Sequence, residues 1–191
     1  MRLGVLGGSF DPVHAGHLAV ARAAVRRLRL DAVLFVPARR SPFKKDGPTP
    51  ARHRLAMLKL ALRGFRRAAI DSCELRRPGL SYTVDTLRAF RRRWPEAEFF
   101  LLIGADSLPD FPRWRRAGEI RRLAVPVVFP RPGHPLPRHL PAGVRGLPLR
   151  PHPAASRALR AALAGGKSPQ TGCPKAVLAY ALRHRLYRAS K

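Results

Sequence analysis

The sequence predicts an α/β fold, an open parallel sheet with helices packed on both faces, and three observations carry that prediction. Short apolar runs alternate along the chain with stretches whose apolar residues recur every three or four positions, as expected of buried strands taking turns with amphipathic helices. A glycine pair, Gly7-Gly8, stands directly behind the first run, at the strand end where such sheets bind ligands. The length of 191 residues suits one domain at roughly 150 residues per domain, so 1–191 reads as a single unit with a small helical part from about 154 to 191.

Leu3–Leu6 is the first strand, and His17–Leu28 follows as a helix with Leu18, Ala21, Val25 and Leu28 on one face. Ala32–Val36 is the second strand. Ala38–Pro48, bearing proline, lysine and glycine, reads as loop, and Thr49-Pro50 reads as an N-cap followed by proline at the first helical position of a helix reaching about Leu62. A third strand is expected near Ala68–Ser72. Beyond the Arg76-Arg77-Pro78-Gly79 turn, Val84, Leu87 and Phe90 mark a helix that stops before Pro95. Phe99–Ile103 is a buried strand closed by Gly104-Ala105-Asp106. A proline-broken segment with Trp114 then leads to a short helix over Glu119–Leu123 and a strand over Val125–Phe129. Residues 130–153 are mostly loop with one strand near Val144–Leu149, and helices return at Ala155–Leu163 and, after Pro174, at Ala176–Arg185.

The charge balance is extreme: 38 Lys+Arg against 11 Asp+Glu gives +27, and only six of the cations are lysines. Such a chain attracts anions at low salt. The arginines are spread over many segments with no basic tail, and the 7% aromatic residues are dispersed, which favours compositional drift over a base-stacking nucleic-acid surface. Cys73 and Cys173 lie far apart with no C-x-x-C spacing, so neither a disulfide framework nor a zinc site is expected. The N-terminal apolar run is too short for a signal peptide and no run approaches the ~18 residues of a membrane span. A cytoplasmic protein is expected, with an oligomer possible.

The residues behind the first strand, Gly7-Gly8-Ser9-Phe10-Asp11-Pro12-Val13-His14-Ala15-Gly16-His17, carry the chemistry. Glycines let the backbone approach a ligand, and the helix start that follows offers N–H groups and a positive dipole end suited to phosphate. His14 and His17, three residues apart, can donate hydrogen bonds to phosphate oxygens. Read without a ligand, Gly-Gly is a turn and the histidines are surface or metal residues. A metal would need a third ligand, for which Asp11 is the only local candidate, so no protein metal site is assigned.

This block resembles the G-x-F-D-P-x-H-x-G-H signature of the nucleotidyltransferase superfamily, and the chain is most similar within it to the nicotinate-nucleotide adenylyltransferases of bacteria. Ser81-Tyr82-Thr83-Val84-Asp85-Thr86-Leu87 and Gly104-Ala105-Asp106-Ser107-Leu108, with Phe111 and Trp114 following, resemble the S-Y-T-x-D-T-L and G-A-D-x-L-x-x-F-x-x-W stretches of that family. Lys44 with Arg52-His53-Arg54-Leu55-Ala56-Met57-Leu58 adds a third agreement. Two stretches depart from the pattern. Ser41-Pro42-Phe43-Lys44 stands where P-P-H-K is usual, and Ala154–Arg160 keeps only Ser156 and Arg160 of I-S-S-T-x-I-R.

The resemblance implies a Rossmann-like fold and transfer of the AMP part of ATP onto nicotinic acid mononucleotide, with pyrophosphate released and Mg²⁺ carried by the ATP phosphates. It implies that His17 contacts the α-phosphate and His14 the triphosphate, with Gly7, Gly8, Ser9, Phe10, Lys44, Ser156 and Arg160 along the phosphate path. Gly104 and Asp106 then face the adenosine half, and Thr83, Trp114 and Arg115 hold the mononucleotide. A phosphate nucleophile is already ionised near pH 7, so positioning and charge neutralisation suffice without a general base. Trp114 also reads as a core residue beside Phe111 and Ile120, Thr83 as a helix cap, and Asp106 as an N-cap. The alternatives are a related adenylyl- or cytidylyltransferase with another acceptor, such as phosphopantetheine, and a nucleic-acid-binding module.

Overall fold

The computed structural model describes residues 1–42, 48–167, 169 and 171–188. Six strands form one sheet in the order β3-β2-β1-β4-β5-β6, and every paired neighbour runs parallel. They are β1 Arg2–Gly8, β2 Ala32–Pro37, β3 Ala68–Ile70, β4 Glu98–Gly104, β5 Val125–Phe129 and β6 Arg145–Gly146. The helices are α1 Ala15–Arg27, α2 Ala51–Ala61, α3 Cys73–Arg76, α4 Thr83–Arg93, α5 Ala117–Leu123, α6 Ser156–Ala164 and α7 Lys175–Arg183. The chain builds outward from β1 through β2 to β3, then returns to place β4 on the other side. The direction of winding therefore switches between β1 and β4, and a crevice opens beyond their carboxyl ends.

Strand periodicity decides what each face buries. Val33 and Phe35 of β2 and Phe100 and Leu102 of β4 point to one side, where they meet Leu18 and Ala21 of α1, Met57 and Leu58 of α2, Leu163 of α6, and Val177 and Ala181 of α7. Leu34 and Val36, with Phe99, Leu101 and Ile103, point to the other, against Val84, Leu87 and Phe90 of α4 and Ile120 of α5. The C-terminal helical part thus covers the same face as α1 and α2. Cys73 and Cys173 are both unpaired thiols.

Several boundaries differ from the sequence reading. The first helix starts two residues earlier, at Ala15, which brings Gly16 and His17 into its first turn. Thr49 is not the cap of α2: Pro50 occupies that position, while the Thr49 N–H donates to Asp11 Oδ2 at 3.0 Å. Thr83 is likewise not a cap but the first residue of α4, behind Tyr82. Asp106 lies inside a 3₁₀ turn over Ala105–Ser107 that is capped by Gly104, so it is not an N-cap either. The strand near residue 144 shrinks to Arg145–Gly146, because Pro148 and Pro151 lack the N–H that a longer ladder needs. The four-residue α3 has no apolar repeat long enough to show in the sequence.

Candidate active site

β1 delivers Gly7 and Gly8 to the crevice, and the chain then turns sharply. Phe10 has a left-handed backbone, φ 47°, unusual for a side chain with a Cβ, and is fixed there by complete burial, with its ring 5.6 Å from Phe35 and edge-on to His17 at 5.0 Å. Arg54, from α2, supports the turn from below. Although it is fully buried, its guanidinium donates to the carbonyls of Thr49, Ser9 and Ala38 at 2.8 Å each. The carbonyls and the nearby Asp11 compensate the buried charge.

The two histidines meet at the start of α1. Their ring centroids are 3.7 Å apart at 35°, and the His14 N–H donates to His17 Nδ1 at 3.2 Å. An accepting Nδ1 puts the His17 proton on Nε2, the nitrogen further from the backbone. A Cβ at Gly16 would come within 3.0 Å of the His14 ring, so glycine there is what lets the ring sit against the helix start. His14 is buried, and desolvation, followed by the charges of Arg131 and His152, lowers its pKa to about 4. It is therefore neutral near pH 7, with one donor and one acceptor nitrogen. Its buried Nδ1 has no hydrogen-bond partner among the described residues.

Across the switch point, Gly104 ends β4. A Cβ there would press on both Asp106 Oδ1 and Arg131, so the glycine keeps those two side chains at the rim. Arg131, two residues past β5, lies 3.4 Å from Asp106 Oδ2, while Asp106 Oδ1 is buried without a partner among the described residues. Ser156 and Arg160 of α6 reach the same loop as the histidines, but both donate to its backbone: Ser156 Oγ to the Pro12 carbonyl at 2.9 Å and Arg160 to the Asp11 carbonyl at 2.6 Å. Lys44 lies outside the described residues.

A separate cavity of about 240 Å³ opens between α4 and the segment after β4. Thr83, Trp114 and Arg115, assigned together from the sequence, all line it, with Tyr82, Arg113 and Ile120 among their neighbours. Trp114 is half-buried and edge-on to Phe111 at 5.3 Å, so it is at once a packed ring and a cavity wall. Arg115 spans the rim, 3.6 Å from Asp85 Oδ2 and with its guanidinium 4.6 Å from the Tyr82 ring centre. Thr83 opens an eleven-residue helix, so its N–H has no acceptor within that helix.

Arg131 escaped the sequence reading, as did the tie that Arg54 makes and the support that Tyr82 and Asp85 give Arg115, although those three residues lie in family-like stretches. A signal existed for Arg131, because it follows a strand's carboxyl end as Gly8 and Gly104 do. Arg54 stands inside the family-like Arg52–Leu58 stretch, but nothing there marks it, among 32 arginines, as the buried one.

No group of three or more His, Cys, Asp or Glu side chains among the described residues could hold a metal ion. Nor, among them, is any helix long and apolar enough to cross a membrane. Asp11, the local metal candidate, is instead engaged by Tyr187 and Thr49.

Residues 5–162 match the family model described as Cytidylyltransferase-like. A Thermomicrobium roseum protein named "Probable nicotinate-nucleotide adenylyltransferase" is 42% identical over 196 residues, covering 98% of this chain and 92% of that one. Proteins of the same name from Gemmatimonas aurantiaca and Thermus thermophilus are 39% and 42% identical, each across 98% of this chain and across 93% and 100% of their own. Among solved structures, the Plasmodium falciparum nicotinic acid mononucleotide adenylyltransferase complexed with NaAD superposes with a TM-score of 0.78 at 17% identity, covering 97% of both chains. That likeness shows the Rossmann-like nucleotidyltransferase fold.

Proposed function

We propose, from the premise that this chain belongs to the cytidylyltransferase-like family, that it is a nicotinate-nucleotide adenylyltransferase acting in the cytoplasm. The phosphate of nicotinic acid mononucleotide attacks the α-phosphorus of ATP, the bond to the bridging oxygen breaks, and pyrophosphate leaves with the electron pair. The observation that carries the reading is that one sheet presents both halves of the required site: a glycine and histidine loop at the β1 end, and, across the switch point, a cavity walled by Thr83, Trp114 and Arg115. Names borne by relatives of about 40% identity along nearly the whole chain support it.

The arrangement supports the roles that the family resemblance implies. His17 donates from Nε2 to the α-phosphate, where charge grows during transfer, and His14 hydrogen-bonds the triphosphate. Gly7, Gly8, Ser9 and Phe10 shape the path along which the two phosphates approach, and Lys44 adds charge to it. Gly104 and Asp106 face the adenosine, with Arg131 supplying the cation that neutral His14 does not. Ser156 and Arg160 act through the loop whose carbonyls they hold. Trp114 stacks on the pyridine ring while the N–H groups of Thr83 and Arg115 receive the carboxylate. Asp106 already faces Arg131, and no acidic cluster stands by among the described residues, so Mg²⁺ fits as an ion held by the substrate phosphates. When bound it offsets charge on the leaving pyrophosphate.

Pyrophosphate release tests the reading directly. With ATP, nicotinic acid mononucleotide should be used well, nicotinamide mononucleotide about 10- to 100-fold less efficiently in kcat/KM, and phosphopantetheine not at all. The ratio reflects one charge-assisted hydrogen bond, roughly 1.5–3 kcal/mol, that a carboxamide must forgo. Equal use of acid and amide would refute the pocket assignment, and transfer only to phosphopantetheine would replace the function.

A further inference from the structure

The loop that bears the histidines is tied down mainly by residues far away in sequence. Arg160 holds the Asp11 carbonyl at 2.6 Å, Ser156 the Pro12 carbonyl at 2.9 Å, and the Ala15 N–H donates to the Gly172 carbonyl at 2.9 Å. The last tie is Tyr187, whose hydroxyl donates to Asp11 Oδ1 at 2.7 Å. The other oxygen of the same carboxylate accepts from the Thr49 N–H, so Asp11 joins the first loop, the entry to α2 and the chain beyond α7.

The backbone around this contact is unusual on both sides. Phe10, next to Asp11, has φ 47°; Arg185 and Tyr187 have φ 51° and 66°. Non-glycine residues hold such angles where their surroundings impose them, and of these three Phe10 adjoins Asp11 in the chain while Tyr187 bonds its carboxylate. Burial, followed by the bond to Asp11, raises the Tyr187 pKa above its usual value, which keeps the hydroxyl a donor. Asp11 is three residues before His14, so a shift of its carboxylate moves the start of α1.

We propose that Tyr187 is a positioning residue, whose hydrogen bond to Asp11 sets the loop that aims His14 and His17 at the reacting phosphates. This rests on reading those histidines as phosphate contacts. A loop displaced by a fraction of an ångström still binds substrates through the cavity and the glycine path but loses alignment in the transition state.

Tyr187→Phe removes only the hydroxyl. Assayed by pyrophosphate release well below its thermal midpoint, it should lower kcat roughly 10- to 100-fold and leave KM for ATP and nicotinic acid mononucleotide within about two-fold. Asp11→Asn should lower kcat as well, and the double variant should be no worse than the worse single one, as residues acting through one contact require. Unchanged kcat in Tyr187→Phe, kcat and KM that deteriorate together, or additive losses in the double variant would each overturn the proposal. If Tyr187→Phe does not fold, Asp11→Asn decides by the same kcat-against-KM split. The imidazole NMR signals of His14 and His17 should also move in either variant, and unmoved signals would count against the proposal. Because that measurement needs no turnover, it separates failure of the tie from failure of the adenylyl-transfer reading. A parent protein that releases no pyrophosphate with any mononucleotide would sink the latter alone, whereas His17→Ala with full activity would remove the contact the tie is meant to aim and so overturn the proposal.

Discussion

The two regions of the proposed site are built differently. Most of the cavity comes from two short strings, with Pro42 and Ile120 added: Tyr82 and Thr83 lie at the start of α4, Asp85 in its first turn pairs with Arg115, and Arg113, Trp114 and Arg115 are consecutive. The phosphate-side loop is assembled globally, its carbonyls and its one acidic side chain held by Arg54, Ser156, Arg160 and Tyr187 across sequence separations of 45 to 176 residues. A pocket for a flat ring needs walls, which neighbouring residues can supply. A loop that must hold two imidazoles in register needs fixing from several directions, and only distant elements provide them.

The largest break in this comparison should come from Arg54. Arg54→Met leaves three part-buried carbonyls and the buried Asp11 without the guanidinium, and loss of one partner from a buried charged network costs about 3–5 kcal/mol. At 2–4 °C per kcal/mol for a chain of this size, the thermal midpoint should drop by roughly 10 °C. Arg115→Met, which removes an exposed pairing at the cavity, should cost less than about 1 kcal/mol. Equal losses in calorimetry would mean that the two regions do not differ as described.

His17→Ala comes next. A donor aimed at developing charge is worth roughly 10²–10³ in kcat, while a half-exposed ring at a helix start buries little, so the thermal midpoint should stay near that of the parent. Steady-state kinetics beside a melting curve checks both, and most of the turnover surviving would remove His17 from the mechanism.

The contrast also explains what the sequence could reveal. The strands were legible because parallel strands covered on both faces are short unbroken apolar runs, as at Val125–Phe129, whose bounds agree with the structure. Gly7-Gly8, His14, His17, Thr83, Trp114 and Arg115 stand out as local strings in one chain order, and the structure brings the last three to one cavity. The ties made by Arg54 and Tyr187 were not legible, since even within the family-like Arg52–Leu58 stretch nothing distinguishes a buried guanidinium from a surface cation, and nothing beside Tyr187 distinguishes a tie from another aromatic. Thr49 failed for a related reason: a threonine before proline looks like a cap unless Asp11, 38 residues away, is known to take its N–H.

On the cavity side, Trp114→Ala should raise KM for the mononucleotide about tenfold, the equivalent of 1.4 kcal/mol and within the roughly 1–3 kcal/mol of an aromatic stack. KM for ATP should hold, and the preference for acid over amide should persist, because stacking does not sense the substituent. A rise in both Michaelis constants would join two regions that the fold keeps apart.

The smallest expected effect is a pH dependence confined to the loop side. His14 carries a folded-state pKa lowered to about 4 from 6.5, chiefly by burial and then by Arg131 and His152, with the His17 ring 3.7 Å away as its other titratable neighbour. Below pH 6.5 the unfolded chain takes up a proton that the folded one refuses, so this contribution to stability is complete above that pH and is lost as pH falls toward 4. Between pH 7.5 and pH 5.5 the loss should be about 1 kcal/mol. The residues that line the cavity include no histidine, so nothing there follows the same titration. Denaturant unfolding of the parent and of His14→Asn at the two pH values isolates the term, because all other titrating groups cancel in the difference. The parent should lose about 1 kcal/mol more than the variant. An equal loss in both proteins would show that His14 is not held neutral by its surroundings, and that the cation beside the phosphates need not be Arg131.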